Sequence, residues 1–336
     1  MARVRAVLAA LWTAARRNRK SLGSFSGNNL FYAGLALLFM GDPAAFAFSL
    51  VIIGLVLFFP SSSDPLRIVP PERLALWPLA NREYRLLRML SPWLNPLTWL
   101  VAILLVWKRV SIGLWALIAV LFGLGFLAPS LLPGSRMNAW RRIPDLPGPL
   151  NQLIRKNLRE MLSTLDFYGG LILAAPALFF RARGSLPGEA LFPLTLVVML
   201  TISTYAQSLF GLDGEGGLTR YRLLPIAGWQ ILAAKDVTFL STALLLTLPL
   251  SPLGGLAAAL MALATGHHAS VTRPRQQTRW RFQTGASFGS SLAQMILMIL
   301  AGTGTMYAGP LILAPCLAAY VWSTWWFGRV LDRQAS

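Results

Sequence analysis

The chain has 336 residues, 55% of them hydrophobic and only 12% charged, with a formal net charge of +18. That balance excludes an ordinary water-soluble globular domain. The basic residues stand in separate clusters between apolar runs, so sorting across a membrane explains them and no nucleic-acid ligand is expected. Backbone groups in lipid must bond within their own helix or within a closed barrel, and long Leu/Ala/Val runs suit helices rather than alternating barrel strands. The expected fold class is all-α: a polytopic transmembrane helical bundle of about ten spans, some short, arranged as hairpins with cytoplasmic amphipathic helices.

Residues 1–28 predict an N-terminal amphipathic helix lying on the membrane, with Leu8, Leu11, Trp12 and Ala15 on one face and Arg3, Arg5, Arg16, Arg17, Arg19 and Lys20 around it. Trp12, Arg16 and Arg17 are the candidate membrane-interface residues, and a simple topogenic basic tail is the alternative. No cleavable signal sequence is evident. A first transmembrane unit, 29–133, follows. Its opening run, Asn29–Pro60, predicts a hairpin turning at Asp42, because a single span would place the basic segments 1–28 and 61–95 on opposite sides. The cytoplasmic loop 61–95 leads to a second pair, Pro96–Trp107 and Ile112–Leu132, turning at Lys108-Arg109.

Residues 134–165 form a basic amphipathic linker, and 166–328 a second transmembrane unit. Its pairs are Phe167–Phe180 with Ala190–Leu209, turning at Arg181–Glu189; Val237–Leu250 with Leu253–Thr265, turning at Ser251-Pro252; and Phe288–Met306 with Pro310–Phe327. The tail, 329–336, is basic. Of the 30 lysines and arginines, all but Lys108, Arg109, Arg181 and Arg183 fall on one side in this arrangement. That asymmetry predicts a multi-pass protein with both termini in the cytoplasm.

The chain is organised around the polar loop 210–236, FGLDGEGGLTRYRLLPIAGWQILAAKD. Asp213–Gly217 reads as a mobile acidic turn, Leu218–Leu224 as a short amphipathic helix, Pro225 as a breaker, and the following run as a second surface helix ending at Lys235-Asp236. Two such helices joined at a proline make a docking surface for a soluble partner. Loop 61–95 echoes it: Asp64 leads to Leu76-Trp77-Pro78-Leu79 with Arg88 ten residues beyond the proline, as Asp213 leads to Leu223-Leu224-Pro225-Ile226 with Lys235 ten residues beyond. Leu30-Phe31-Tyr32-Ala33-Gly34 likewise echoes Asp166-Phe167-Tyr168-Gly169-Gly170. These pairs predict an internal duplication of the kind that recurs in transporters, with chance similarity between Leu/Pro-rich loops as the alternative.

Catalytic and nucleotide motifs are missing. There is no GxxxxGK[ST], no HExxH and no Ser/His/Asp set, and no cofactor or metal is expected. His267 and His268 are adjacent, which on a helix denies them a shared face, so solvated loop histidines are expected. Cys316 stands alone in an apolar run. Ionisable residues inside spans would mark ion pathways. Asp42, Asp166, Glu189 and Asp236 are all expected at helix ends, leaving Gln207 and Gln294 as the main buried-polar candidates, which helix–helix hydrogen bonding explains. The energy for any transport is therefore expected to come from elsewhere than an ion gradient.

The 210–236 loop resembles the cytoplasmic loop of membrane (permease) subunits of type-2 ATP-binding-cassette exporters, and LALWPLANREYRLLRMLSP resembles its counterpart in internally duplicated members. The resemblance implies a non-enzymatic permease subunit of an ATP-driven exporter in a bacterial cytoplasmic membrane. It would dimerise with another permease subunit and be driven by a separate ATPase chain, which engages short coupling helices. By that resemblance Asp213, Glu215, Arg220, Tyr221, Arg222, Pro225 and Lys235 lie at or beside the ATPase contact. In the first half, Asp64, Arg73, Pro78, Arg82, Glu83 and Arg88 do the same. The large extracellular re-entrant element usual before the C-terminus is not evident. The alternative function is a non-transporting membrane scaffold that recruits a soluble partner through the same loops; an intramembrane lipid-modifying enzyme is disfavoured because no acid/base constellation stands out.

Overall fold

A computed structural model of the protein describes residues 2–17, 79–94, 150–213, 220–221, 225–277, 279, 282–283 and 285–335, together with isolated positions between 34 and 120. Among the described residues every regular element is a helix, and there is no strand. The chain divides into two compact units, Met1–Ser26 with Leu30–Ser135, and Gly27–Asn29 with Arg136–Ser336. The predicted hairpin at Asp42 and most of the pair 96–132 lie outside the described residues.

In the first unit α1 spans Ala2–Arg17 and α2 spans Asn81–Leu90, continued by a 3-10 turn, Ser91–Leu94. Val4 and Leu11, seven residues apart and so on one helical face, are buried against Leu66 and Leu87, with Val7, Leu8 and Leu94 packed around them. Trp12 is exposed. Arg16 and Arg17 fall in the last turn of α1, with side chains outside the description.

The second unit begins with α3, Asn151–Met161, then α4, Leu165–Ala182, and α5, Gly188–Ser203, which tightens into a 3-10 turn at Thr204–Ser208. It continues through α6, Gly228–Thr247; α7, Pro252–Thr272; α8, Phe288–Ala308; a 3-10 turn at Gly309–Ile312; and α9, Leu313–Ala335. Among the described residues, four helical runs are long and apolar enough to cross a membrane: Leu165–Ala182, Gly188–Ser208, Gly228–Thr247 and Phe288–Gln334. The last joins α8 to α9 through Gly309, whose φ of +57° turns the chain where other residues would be strained.

Within the second unit the turns at Arg181–Glu189 and Ser251-Pro252 fall where the sequence placed them. Pro252 sits at the start of α7, where its missing N–H costs nothing. The Arg181 guanidinium, at the α4–α5 turn, donates to the carbonyls of Pro249 and Leu250 at the α6–α7 turn, so both turns lie at one end. At the other end the Gly228 N–H opening α6 donates to Asp332 Oδ1 on α9, 2.7 Å away.

The α7 helix is the hub, packed against α5, α6, α8 and α9. Ala257, Ala258, Ala259, Ala262 and Leu263 are all fully buried, and small side chains let neighbours approach closely, as membrane helix packing demands. Gly266 and Ser270, one turn apart, seat the 3-10 turn after α5. The Ser270 hydroxyl donates to the Ala206 carbonyl at 2.7 Å, and a Cβ at Gly266 would collide with that carbonyl. Gln207 and Gln294 are buried and hydrogen-bonded, as expected, and they bond to each other; Gln294 also donates to the Ala262 carbonyl (2.8 Å), and Gln207 accepts from the Ala286 N–H (2.9 Å). Bonds of this kind contribute about 0.6–2 kcal/mol in a bilayer.

One boundary differs from expectation. The predicted surface helix ending at Lys235-Asp236 is the first part of α6, which runs unbroken to Thr247, so the expected span start at Val237 is mid-helix. No breaker separates Asp236 from Val237, and both charged side chains are buried and paired.

Candidate functional site: a loop tied to two helices

The loop after α5 opens with Phe210, Gly211 and Leu212, all buried, which carry Asp213 into the interior. The Gln277 N–H donates to the Gly211 carbonyl (2.8 Å) and pins this turn to the α7–α8 connection. The Asp213 side chain is 1% exposed and lies between two lysines. Lys235 Nζ, from α6, donates to Oδ2 at 2.9 Å and also to Asn157 Oδ1 at 3.2 Å. Lys156 Nζ, from α3, pairs with Oδ1, and the Tyr221 hydroxyl donates to the same oxygen at 2.8 Å. Lys156 also donates to Tyr221 Oη (2.8 Å) and lies 3.5 Å from Glu160, one helical turn along α3.

Aromatic faces close the knot. Lys235 Nζ lies 5.0 Å from the Phe210 ring centre and 5.4 Å from that of Tyr221, and the two rings meet edge-on at 5.8 Å. A desolvated ammonium gains from such faces, up to about 2 kcal/mol. Two lysines, two carboxylates and two aromatic rings thus bind the loop to α3 and α6.

The electrostatics follow from burial and pairing. Desolvation pushes the Asp213 carboxyl up, but Lys235 and Lys156 outweigh it and hold the group below its ordinary value. Burial, then the negative charge of Asp213 and its hydrogen bond, push the Tyr221 phenol up, so it stays a donor. Desolvation raises the Glu160 carboxyl, partly offset by Lys235 and reinforced by Asp213. A raised native value means that the folded protein binds the proton more tightly than the unfolded chain. This contribution to stability is therefore complete below the ordinary value of 4.5 and lost as pH rises through the native value. Glu160→Gln is expected to flatten that part of the profile: thermal melting from about pH 4.5 upward should show wild type losing stability relative to the variant as pH rises.

Of the residues expected at a partner contact in this loop, Asp213, Tyr221 and Lys235 therefore face inward, while Arg220 and Pro225 are exposed. Asp213 itself is held by two lysines and a tyrosine; the rest of the expected acidic turn, 214–217, lies outside the described residues. Glu215 and Arg222 lie outside the described residues, as do Asp64, Arg73 and Pro78. In α2, Arg82 is exposed, Glu83 and Arg88 half-buried. The two loops share a helix start. Ala80 caps α2 at φ −69°, ψ 155° and its N–H donates to Glu83 Oε2 (3.1 Å); Ala227 caps α6 at φ −69°, ψ 148° and its N–H donates to Gln230 Oε1 (3.0 Å). Each is half of a capping box, two residues beyond the matched proline.

No protein-family model matches the sequence, and no curated protein or solved structure matches the chain. The site must be judged on its own geometry.

That geometry contains residues that sequence reasoning passed over. Lys156 and Glu160 carried a signal, an i,i+4 pair of opposite charge in an amphipathic run. The histidine expectation is corrected outright. Both histidines lie in α7, and His267 is fully buried with Nε2 3.0 Å from Asp236 Oδ1 and Nδ1 3.0 Å from Ser323 Oγ. His268 is exposed, edge-on to Phe327 at 5.8 Å. Asp236, expected at a helix end, is buried mid-helix, with Oδ2 accepting from Tyr320 at 3.1 Å. The span-like helices thus do hold ionisable groups. Asp166 and Glu189 do open helices, Asp166 buried with Oδ2 accepting from the Gln283 N–H (2.8 Å) and Glu189 exposed. Among the described residues no cluster of three or more His, Cys, Asp or Glu is placed to hold a metal.

Proposed function

We propose that this chain is the membrane-spanning permease subunit of an ATP-driven exporter, acting in a permease dimer with a separate ATPase subunit in a bacterial cytoplasmic membrane. One observation carries the reading. Phe210, Asp213, Tyr221 and Lys235, the residues on which the loop resembles such permeases, converge on a single ionic knot, while Arg220 and Pro225 beside it stay exposed.

The knot gives the loop a mechanical role. Lys235 belongs to α6, a 20-residue helix about 30 Å long. A push on the loop is delivered through Asp213 and Lys235 to that rod rather than absorbed by a slack connection. ATPase closure would thereby shift α6, and with it α7 and α9, between two packings that open the cargo path to either side. The exposed aromatic belt Trp322, Trp325 and Trp326, with the Arg329 guanidinium 3.9 Å from the Trp325 ring centre, suits a membrane–water boundary near the end of α9.

Reversing the exposed Arg220 to Glu is expected to reduce retention of the ATPase subunit on the order of tenfold, the effect of about 1.4 kcal/mol at a contact. Co-purification measures it, and the melting temperature should stay unchanged because the side chain is exposed. Undiminished retention would remove Arg220 from the contact.

A further inference from the structure

The Asp236–His267 pair does chemistry that the loop does not require. Ser323 Oγ donates to the Ala264 carbonyl at 2.7 Å, so it presents a lone pair to His267 Nδ1, and Nδ1 must carry a proton. In a neutral imidazole Nε2 is then a bare lone pair, facing Asp236 Oδ1 across 3.0 Å. Two bare acceptors at that distance repel. Tyr320 already donates to the other carboxylate oxygen and supplies nothing to this axis.

We propose that Asp236 and His267 form a buried proton-binding site, which holds one proton between Asp236 Oδ1 and His267 Nε2 and exchanges it with the loop end of the bundle through Tyr205 and Glu160. Binding takes a proton from solution and brings the pair from one negative charge to none; release returns it. No co-reactant is needed. The site is independent of the transport reading.

The surroundings favour this count and this route. Lys235, the next residue on α6, is turned to Asp213 and leaves the pair alone. On α7, His268 is exposed against Phe327. From α9 Tyr320 bonds Asp236, Cys316 one turn before it is buried against Ala257 and Leu260 of α7, and Arg329 and Asp332 are engaged with Trp325 and the Gly228 N–H. The only titratable residue of α8 is Tyr307, 92% exposed, and that of α5 is Glu189, exposed in its first turn. Asp166 on α4 is occupied with Gln283. The remaining neighbour is Tyr205, fully buried, its ring stacked on Phe239 of α6 with centroids 6.4 Å apart, and its hydroxyl within electrostatic reach of Glu160, Asp213 and Asp236 alike.

Tyr205 Oη, Glu160 Oε2, Asn157 Nδ2 and Thr204 Oγ1 are buried without a protein hydrogen-bond partner. Orphaned groups of this kind are normally satisfied by internal water. Water here would link the pair to Glu160, and Glu160 to Lys156, whose side chain is 46% exposed.

The test uses the full chain in lipid nanodiscs with 15N-labelled histidine. There are only two histidines, so His268→Gln assigns the signals. The expected result is a proton on His267 Nδ1 and a second shared along Nε2–Asp236. In Asp236→Asn, which keeps the shape and donates an N–H to Nε2, that shared proton disappears while Nδ1 stays protonated. A wild-type His267 protonated only at Nε2, with Nδ1 bare, would overturn the site. Tyr205→Phe removes one unpartnered oxygen and is expected to slow deuterium exchange at His267 by an order of magnitude or more. Exchange as fast as in wild type would overturn the route.

Discussion

Lys235→Met is expected to destabilise the protein by about 3–5 kcal/mol, measured by denaturation in mild detergent. Lys235 is fully buried, and its removal leaves the Asp213 carboxylate, 1% exposed, with half of its compensation. Lys156 remains on the other oxygen and is 46% exposed, which places the expected loss towards the lower end of that range. Asp213→Asn in the same background removes the stranded charge. The double variant should recover a substantial part of the loss, so that the two single effects are strongly non-additive. A loss below about 1 kcal/mol would show that the knot does not anchor the loop. The consequence for function is separable: a chain that folds but no longer carries Lys235 has a loop detached from α6.

The second large effect is expected at Gly266, where α7 meets the 3-10 turn after α5. A Cβ there falls against the Ala206 carbonyl and 2.9 Å from the Ala206 Cβ, closer than side-chain carbons come. Backbone cannot rotate away as a long side chain does. Gly266→Ala is therefore expected to cost about 1–3 kcal/mol despite the better helix propensity of alanine. It should also displace Tyr205 and Gln207, which ride on the displaced turn. Gly289→Ala is the control, since no atom lies within 4 Å of its new methyl; it should be neutral or stabilising by up to about 1 kcal/mol. Equal behaviour of the two variants in a melting assay would remove the close crossing from the account.

The helices of the second unit were legible because their punctuation is local. Ser251-Pro252, Gly309-Pro310 and the polar stretch Arg181–Glu189 interrupt apolar runs, and a break in hydropathy needs no knowledge of tertiary neighbours. The Gln207–Gln294 bond was legible for a related reason, since an amide among apolar residues must find a partner. Lys235-Asp236 and His267 were not. Averaged hydropathy marks each as the end of a span, because it cannot see that Asp213, Asn157, Tyr320 and Ser323 arrive from distant parts of the chain to neutralise and bond them. Asp213 was hidden in the same way: beside Gly214 it looks solvated until Lys156 and Lys235 close on it. What the loop motif conceals is therefore an interior. Among its described charged residues, Asp213, Lys235 and Asp236 are paired in the interior and Arg220 is exposed.

The most direct test of the permease reading is a pull-down of the wild-type chain from native membranes in mild detergent, followed by mass spectrometry. The account predicts a stoichiometric Walker-motif ATPase retained with the chain, and lost when Arg220 becomes Glu. A pure chain, or one that retains only a partner with no nucleotide-binding motif, would contradict it and leave the loop as the docking surface of a membrane scaffold.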